Sequence, residues 1–343
     1  MNSNRRDFLK LMAAGTAGAA TALAVGPLQA RPPKPLPPGA IGILYDATLC
    51  IGCKACEVAC KAANQMPMDH TSGLEQLHGV SGVWDAPDDL NSRTLNKIKL
   101  CETNDGSAGG LSFVRRACMH CVDPNCVSAC PVSALTKDPA TGIVRYNPDA
   151  CIGCRYCQLA CPFNVPKFEF DKPFPKIVKC QLCTERVSEG EIPACCAACP
   201  TGATLFGGVT DLLAEGHRRL AFQPGEAQDY PLHQLGTHEQ RTAKVTGYVP
   251  SIYGETQTGG TQQLLMAGVP FDQLGLPPLG NDSRARLSET IQHGLYQGMF
   301  APALLLGGLV YAVYRNSRQD REEDPGATAA DAPGVDTQER HHD

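Results

Sequence analysis

Apolar and polar positions are arranged differently at the two ends of this chain and in its middle. An uncharged run extends from Leu11 to Val25, followed by Leu28-Gln29-Ala30, and no Asp, Glu, Lys or Arg occurs from Thr290 to Tyr314. In between, two short pieces stand out. Ile41 to Tyr45 reads as a strand, and Thr210 to Leu220 as a helix with Thr210 at its N-cap and Asp211 beside it. From there to about Ser288 the chain is rich in Gly, Pro, Gln and Tyr without a sustained period, which predicts an irregular extension over residues 211–290.

The C-terminal apolar stretch has the dimensions of a membrane span. Leu295 to Tyr314 is 20 residues, about 30 Å of helix at about 1.5 Å per residue. Tyr296, Tyr311 and Tyr314 sit at its ends, and Arg315, Arg318 and Arg321 follow as a cytoplasmic stop. One membrane-crossing helix is therefore expected over 294–314, with Pro302 as a kink and Gly307-Gly308 as a small-residue face. A buried helix of a soluble domain is the alternative. The remaining residues, 315–343, are polar and predict a disordered tail on the cytoplasmic side.

The N-terminal run carries a different message. Asn4-Arg5-Arg6-Asp7-Phe8-Leu9-Lys10 precedes it and reads as a twin-arginine export signal over residues 1–30, with cleavage after Ala30. An ordinary secretory signal or an N-terminal anchor helix is the competing reading. Asn4 departs from the usual Ser or Thr, and Leu28 is bulkier than the small residue favoured before a cleavage site. Arg31-Pro-Pro-Lys-Pro-Leu-Pro-Pro38 then predicts a stiff spacer over 31–40.

Composition narrows the function. A chain of 343 residues with 43% hydrophobic content is large enough to fold without covalent staples, so small size does not explain its 18 cysteines. A net charge of -5 and the lack of a long basic block exclude a nucleic-acid footprint. With 34 Gly, 27 Pro and only 6% aromatic residues, the core is expected to be turns wrapped around inorganic groups.

Sixteen of the 18 cysteines form four groups of four: Cys50, Cys53, Cys56, Cys60; Cys118, Cys121, Cys126, Cys130; Cys151, Cys154, Cys157, Cys161; and Cys180, Cys183, Cys195, Cys199. Three close thiolates from one tight loop and a fourth from elsewhere is the requirement of a cubane iron-sulfur cluster. Pro131, Pro162 and Pro200 follow the fourth cysteine in three groups, and Lys61 does so in the first. The second group is stretched at Cys121-Val-Asp-Pro-Asn-Cys126, and the fourth opens eleven residues between Cys183 and Cys195. The other groups separate their third and fourth cysteines by three residues, which selects Cys195 over Cys196. Cys101 and Cys196 are left as spare thiols, and Cys101 lies in a polar insertion over 61–117 with the single Trp, Trp84.

Other uses of cysteine fit less well. A disulfide framework predicts scattered residues, and a zinc site has no role for a third close cysteine in the same loop. Covalent haem needs a His after a C-x-x-C pair, and none follows. His120 lies between two candidate ligands, where a supporting role is favoured over ligation. His293 stands at the start of the apolar C-terminal stretch, where a proton or quinone role competes with plain interfacial placement. No dinucleotide, P-loop, serine-hydrolase or metalloprotease motif is present, and no catalytic residue is assigned.

These four groups over residues 41–210 resemble the four-cluster ferredoxin-like electron-transfer subunits of dimethyl sulfoxide reductase, formate dehydrogenase-N and related respiratory complexes. With the export signal, the long region after Cys199 and the C-terminal apolar helix, the chain looks most like the HybA-type subunits of membrane-bound nickel-iron hydrogenases. Cys118-Met-His-Cys-Val-Asp-Pro-Asn-Cys126 and Ile252-Tyr-Gly-Glu-Thr-Gln-Thr-Gly-Gly-Thr261 add to that likeness.

The resemblance implies an α+β fold of two intertwined ferredoxin-like domains, each with two 4Fe-4S clusters, followed by the extension and one transmembrane helix. It implies four ligand sets: Cys50, Cys53, Cys56 with Cys199; Cys180, Cys183, Cys195 with Cys60; Cys118, Cys121, Cys126 with Cys161; and Cys151, Cys154, Cys157 with Cys130. It also implies the partners, namely nickel-iron hydrogenase small and large subunits and an integral membrane quinone-reactive subunit. The expected place is the periplasmic face of the inner membrane. A formate dehydrogenase or another molybdenum enzyme as electron donor is the alternative.

Overall fold

The computed structural model describes residues 29–67, 87–103 and 110–323. The twin-arginine stretch, Trp84 and the tail beyond residue 323 lie outside the described residues. The chain divides into a unit over residues 29–289 and a second that contains residues 290–323 among those described.

The first unit is organised by strand β1, Ile41–Asp46, one residue longer than the expected strand. It is buried along nearly its whole length because both of its faces are covered. Alternation sends Leu44 to one side, where it packs with Leu205, Leu212, Leu264 and Met266. Ile43 and Tyr45 point to the other side, into the core that contains many of the cysteines. Two neighbours complete a three-stranded sheet. One is β8, Thr204–Gly208, antiparallel to β1 with Leu44 opposite Leu205. The other is β11, Gln263–Met266, parallel to β1 with Ile43 opposite Gln263. Gly42 permits the close approach of β1 to the residue just before β11, since a Cβ there would stand 2.0 Å from the Gln262 carbonyl oxygen.

Helix α6, Val209–Leu220, covers the Leu44 side of the sheet. Its apolar positions recur at Val209, Leu212, Leu213 and Leu220, and His217, Arg218 and Arg219 complement the dipole in its last turn. The expected N-cap is corrected: Gly208, in extended conformation, occupies that place without a side-chain cap, and Thr210 lies inside the helix. The helix follows β8 without a loop, so a separate capping residue has no room.

The remaining strands form two-stranded hairpins. These pair β2 (Lys97–Glu102) with β3 (Leu111–Arg116), β4 (Leu135–Lys137) with β5 (Val144–Tyr146), β6 (Lys167–Phe168) with β7 (Ile177–Val178), and β9 (Ala227–Pro231) with β10 (Gln240–Lys244). Two expectations change here. The insertion contributes to the core, with Ile98 and Val114 almost fully buried. The extension is not irregular throughout: it supplies the β9–β10 hairpin and the buried edge strand β11. Its Gly-rich and Gln-rich composition hid β11, a four-residue strand too short to display a period.

The Pro-rich spacer is also tied down. Arg31 donates to both carboxylate oxygens of the buried Asp123, at 2.9 and 2.8 Å, and pairs with Glu289. Burial of a bidentate guanidinium–carboxylate pair fixes the position of the chain at this point.

Helix α7 spans Arg284–Glu323 with Pro302 inside it. Many of its apolar side chains are exposed, including Leu295, Met299, Leu304, Leu306 and Val310. The expected membrane-crossing helix over 294–314 is not supported, because among the described residues no helix is long and apolar enough to cross a membrane. Gly298, Pro302, Gly307 and Gly308 dilute the apolar stretch. The inference that the tail reaches the cytoplasm through this helix falls with it.

Candidate iron-sulfur centres

The four cysteine groups share a local design. Two residues after the first cysteine of each group the backbone turns left-handed, at Gly52, His120, Gly153 and Leu182, with φ of 68°, 47°, 69° and 53°. That reversal brings the second cysteine round beside the first. A short helix then starts, and in every group the third cysteine is its second residue. These helices are α1 (Ala55–Ala63), α2 (Asn125–Ser128), α3 (Tyr156–Ala160) and α5 (Ala194–Ala197). A fifth short helix, α4 (Thr184–Ser188), fills the opened gap of the last group. Gly52 is required on steric grounds as well, because a Cβ there would stand 2.4 Å from the Phe113 ring.

Folding brings cysteines of different groups together. Cys50 has Cys199 and Cys53 as charge neighbours. Cys60 has Cys180, Cys195 and Cys183. Cys121 faces Cys161, Cys126 and Cys118, while Cys157 faces Cys130, Cys151 and Cys154. Between these neighbourhoods, Cys56 is close to Cys195, Cys180 to Cys118, and Cys126 to Cys157. The thiol neighbourhoods therefore follow one another in a row.

The interior around them suits a metal-sulfur group. Burial, reinforced by the neighbouring sulfurs, pushes Cys126 and Cys180 up to about 12, Cys157 to about 11, and Cys121 well above its ordinary value. Thiolates gathered in so dry a place need coordinated cations to exist. Cys195 behaves oppositely and is lowered to about 6: Cys196 shares a hydrogen bond with its sulfur, burial opposes the shift, and Arg115 assists it. Cys196, fully buried, is raised well above the ordinary thiol value, chiefly by burial and then by that hydrogen bond. Among the adjacent pair, Cys195 carries the thiolate character.

Buried donors without a partner point the same way. His120 accepts the Val144 N–H on Nδ1 at 3.1 Å, so its proton resides on Nε2. That Nε2, with Asn96 Nδ2 and Gln263 Nε2, is buried without a hydrogen-bond partner. Burial, with Lys179, Lys137 and Arg115 nearby, lowers the His120 pKa and keeps the ring neutral. Unsatisfied donors of this kind match an acceptor-rich group such as an iron-sulfur cluster. None of the cysteines is joined in a disulfide, and among the described residues no three metal-binding side chains converge on the position of a single ion.

Sequence reasoning missed several groups here. Arg115 is buried on β3 beside Cys195. Lys179 bonds to the Cys180 carbonyl at 3.0 Å, and Lys137 to the Cys121 carbonyl at 2.9 Å. The signal for Lys179 was its position directly before a cysteine group. The spare Cys101 lies half-buried on β2, and His293 is exposed on α7.

Fold and site together define an iron-sulfur electron-transfer subunit that carries multiple 4Fe-4S clusters. A family model for a 4Fe-4S dicluster domain matches residues 110–209, which contain the second, third and fourth cysteine groups. Hydrogenase-2 operon protein HybA of Escherichia coli O157:H7 is 43% identical over 331 residues, covering 93% of this chain and 98% of its own length. The chain belongs to this HybA family. The formate dehydrogenase-O iron-sulfur subunit of Escherichia coli K12 is 31% identical over 268 residues, 77% of each chain. The nitrate-inducible formate dehydrogenase iron-sulfur subunit of that organism is 39% identical over 180 residues, 52% of this chain and 58% of its own.

Proposed function

We propose that this subunit conducts single electrons from a hydrogenase small subunit, through four 4Fe-4S clusters, to a quinone-reactive integral membrane partner. The observation that carries the reading is the row of cysteine neighbourhoods, linked in turn through Cys56–Cys195, Cys180–Cys118 and Cys126–Cys157. Cys50, Cys53, Cys56 and Cys199 hold the first cluster, and Cys60, Cys180, Cys183 and Cys195 the second. Cys118, Cys121, Cys126 and Cys161 hold the third, and Cys130, Cys151, Cys154 and Cys157 the fourth. When bound, each cubane supplies one-electron redox chemistry. The chain's own residues place the thiolates, keep water away from the inner centres and supply hydrogen-bond donors around the sulfurs. They carry out no bond chemistry.

Iron and acid-labile sulfide analysis of anaerobically purified protein tests this directly. The expected result is about 16 irons per chain, four for each cubane. Zinc without iron overturns it.

Three further assignments belong to the same proposal. Arg5 and Arg6 direct export of the folded, cluster-loaded chain, so replacing both with Lys leaves the protein in the cytoplasm; unchanged periplasmic activity of that variant refutes the assignment. The working place is the periplasmic face of the inner membrane. The exposed apolar residues of α7 meet the integral membrane partner, so removing Leu295 onward uncouples donor oxidation from quinone; full quinone reduction by the truncated protein counts against that contact. A formate dehydrogenase as donor is the second reading, supported by the 77% span shared with the formate dehydrogenase-O subunit. Identification of the chains that co-purify in detergent separates the two.

A further inference from the structure

We propose that Arg115 sets the reduction potential of the second cluster in the row, with Asn96 and Gln263 as the positioning residues that aim its charge. The proposal rests on Cys195 being a ligand of that cluster, as assigned above.

The geometry is specific. Arg115 is buried on β3, and its Nη2 lies 3.5 Å from Cys195 Sγ. Its Nε donates to Asn96 Oδ1 at 2.7 Å, and its Nη1 donates to Gln263 Oε1. A guanidinium has donors only, so the oxygen of each amide must face it. Each amide NH2 is thereby turned away, and both are buried without a partner. No carboxylate appears among these hydrogen-bond partners to cancel the charge. The side chain is held from two sides, by Asn96 just ahead of β2 and by Gln263 at the start of β11.

Taking a permanent cation out of water into the interior costs several kcal/mol unless an anion answers it. Here the sulfurs of Cys195, Cys180 and Cys56, ligands in the assignment above, are the groups whose charge favours the cation. An oxidised cubane with four thiolates bears a net charge of about −2, and reduction adds one electron and one further negative charge. The guanidinium gains and loses no proton in that step, and no bond is made or broken. Its positive charge and N–H···S contact stabilise the reduced form more than the oxidised form, so the potential rises. The amides leave the guanidinium charge uncompensated, which a carboxylate in either place would not.

The experiment is an EPR-monitored redox titration of the full-length, cluster-loaded protein against dithionite, with iron content measured in parallel. Arg115→Gln removes the charge and should lower one midpoint by at least a tenfold change in the reduction equilibrium, about 59 mV for a one-electron couple. Arg115→Lys keeps the charge and should recover most of it. Gln263→Glu leaves Arg115 in place and cancels its field, and should lower the same midpoint; it carries the measurement if Arg115→Gln loses iron. All midpoints unchanged with iron at the wild-type level overturns the proposal, as does loss of one cluster in both variants, which assigns Arg115 a purely structural role. Wild-type protein without iron overturns instead the four-cluster reading on which the proposal stands.

Discussion

In the arrangement proposed above, the first and fourth cysteine groups make one half of the centre and the second and third the other, and the cations beside them act differently. In the first half the charge of Arg115 touches a cysteine sulfur, with two neutral amides behind it. The ammonium groups near the cysteines are directed instead at backbone carbonyls, as Lys61 after the first group is at those of Pro67 and Arg93. Lys137 bonds to the carbonyls of Cys121 at 2.9 Å and Gly142 at 2.6 Å and to Gln262 Oε1 at 2.7 Å. Lys179 bonds to the carbonyls of Val144 and of Cys180, and so bridges the hairpin beside the third group and the start of the fourth. A compact ammonium with three rotatable donors suits the gathering of loop carbonyls, whereas a planar guanidinium can hold two amides and still present a donor to sulfur. Four similar cysteine motifs thus sit in unlike electrostatic surroundings. The covering is similar at the tips of the first and third groups, where Ile51 and Val58, and Ile152, Tyr156 and Leu159, are exposed, but the first half also lies against the three-stranded sheet.

The largest way to break this contrast is at the cysteine pair unique to the first half. Cys195→Ala should remove one cluster, about four irons per chain, whereas Cys196→Ala should retain nearly all the iron. Metal analysis of the two variants side by side decides it, and the reverse outcome would move the ligand to Cys196.

A second difference is mechanical. Arg219 on α6 is fully buried against Asp46 at the end of β1, 2.9 Å away, and against Glu215 at 2.7 Å. Tyr248 donates to Asp46 at 2.8 Å, and the Arg219 guanidinium stacks 5.0 Å from the Tyr230 ring centre. This network fastens the helix to the sheet that backs the first half. Arg219→Met leaves Asp46 buried without its cation and should cost about 3–5 kcal/mol of stability. The exposed pair of Arg93 with Asp171, 2.8 Å apart, provides the contrast: Arg93→Met should leave the stability close to that of the wild type. Denaturant unfolding of both variants under anaerobic conditions measures the difference, and equal losses would deny the network its fastening role.

The grouping of the cysteines was legible from spacing alone, because three thiolates on one tight loop impose a local pattern that no tertiary contact is needed to create. Strand β1 was legible for a similar reason, Ile41, Ile43, Leu44 and Tyr45 making a short apolar run that is a local signal. Gln263 was not. It lies in a Gly- and Gln-rich stretch, and only the parallel pairing of β11 with β1 brings it to Arg115, more than a hundred residues away in sequence. Arg115 itself looks like an ordinary strand residue until that pairing buries it. The C-terminal helix shows the opposite failure. The freedom from charge of its stretch from Thr290 to Tyr314 was legible, but the conclusion that it crosses a membrane needed more apolarity than the described residues supply.

An effect smaller than that of Arg219→Met sharpens the mechanical contrast through pH. Burial by itself would raise the pKa of Glu215, but the hydrogen bonds and charges of Arg218 and Arg219 outweigh it and hold the carboxyl below its ordinary value. A group whose folded pKa is depressed stabilises the fold above its unfolded pKa, about 4.3 for Glu. That stability is lost as the pH falls through the lower folded value. Glu215→Gln should therefore cost about 1.5 kcal/mol at pH 7, the weight of a charged hydrogen bond. The gap between wild type and variant should narrow steadily below about pH 4.3, because the wild type then loses its charge while the variant has none to lose. Hydrogen exchange at the amides of α6 reads this gap locally. A gap independent of pH across that range would show that Glu215 acts through packing and not through its charge.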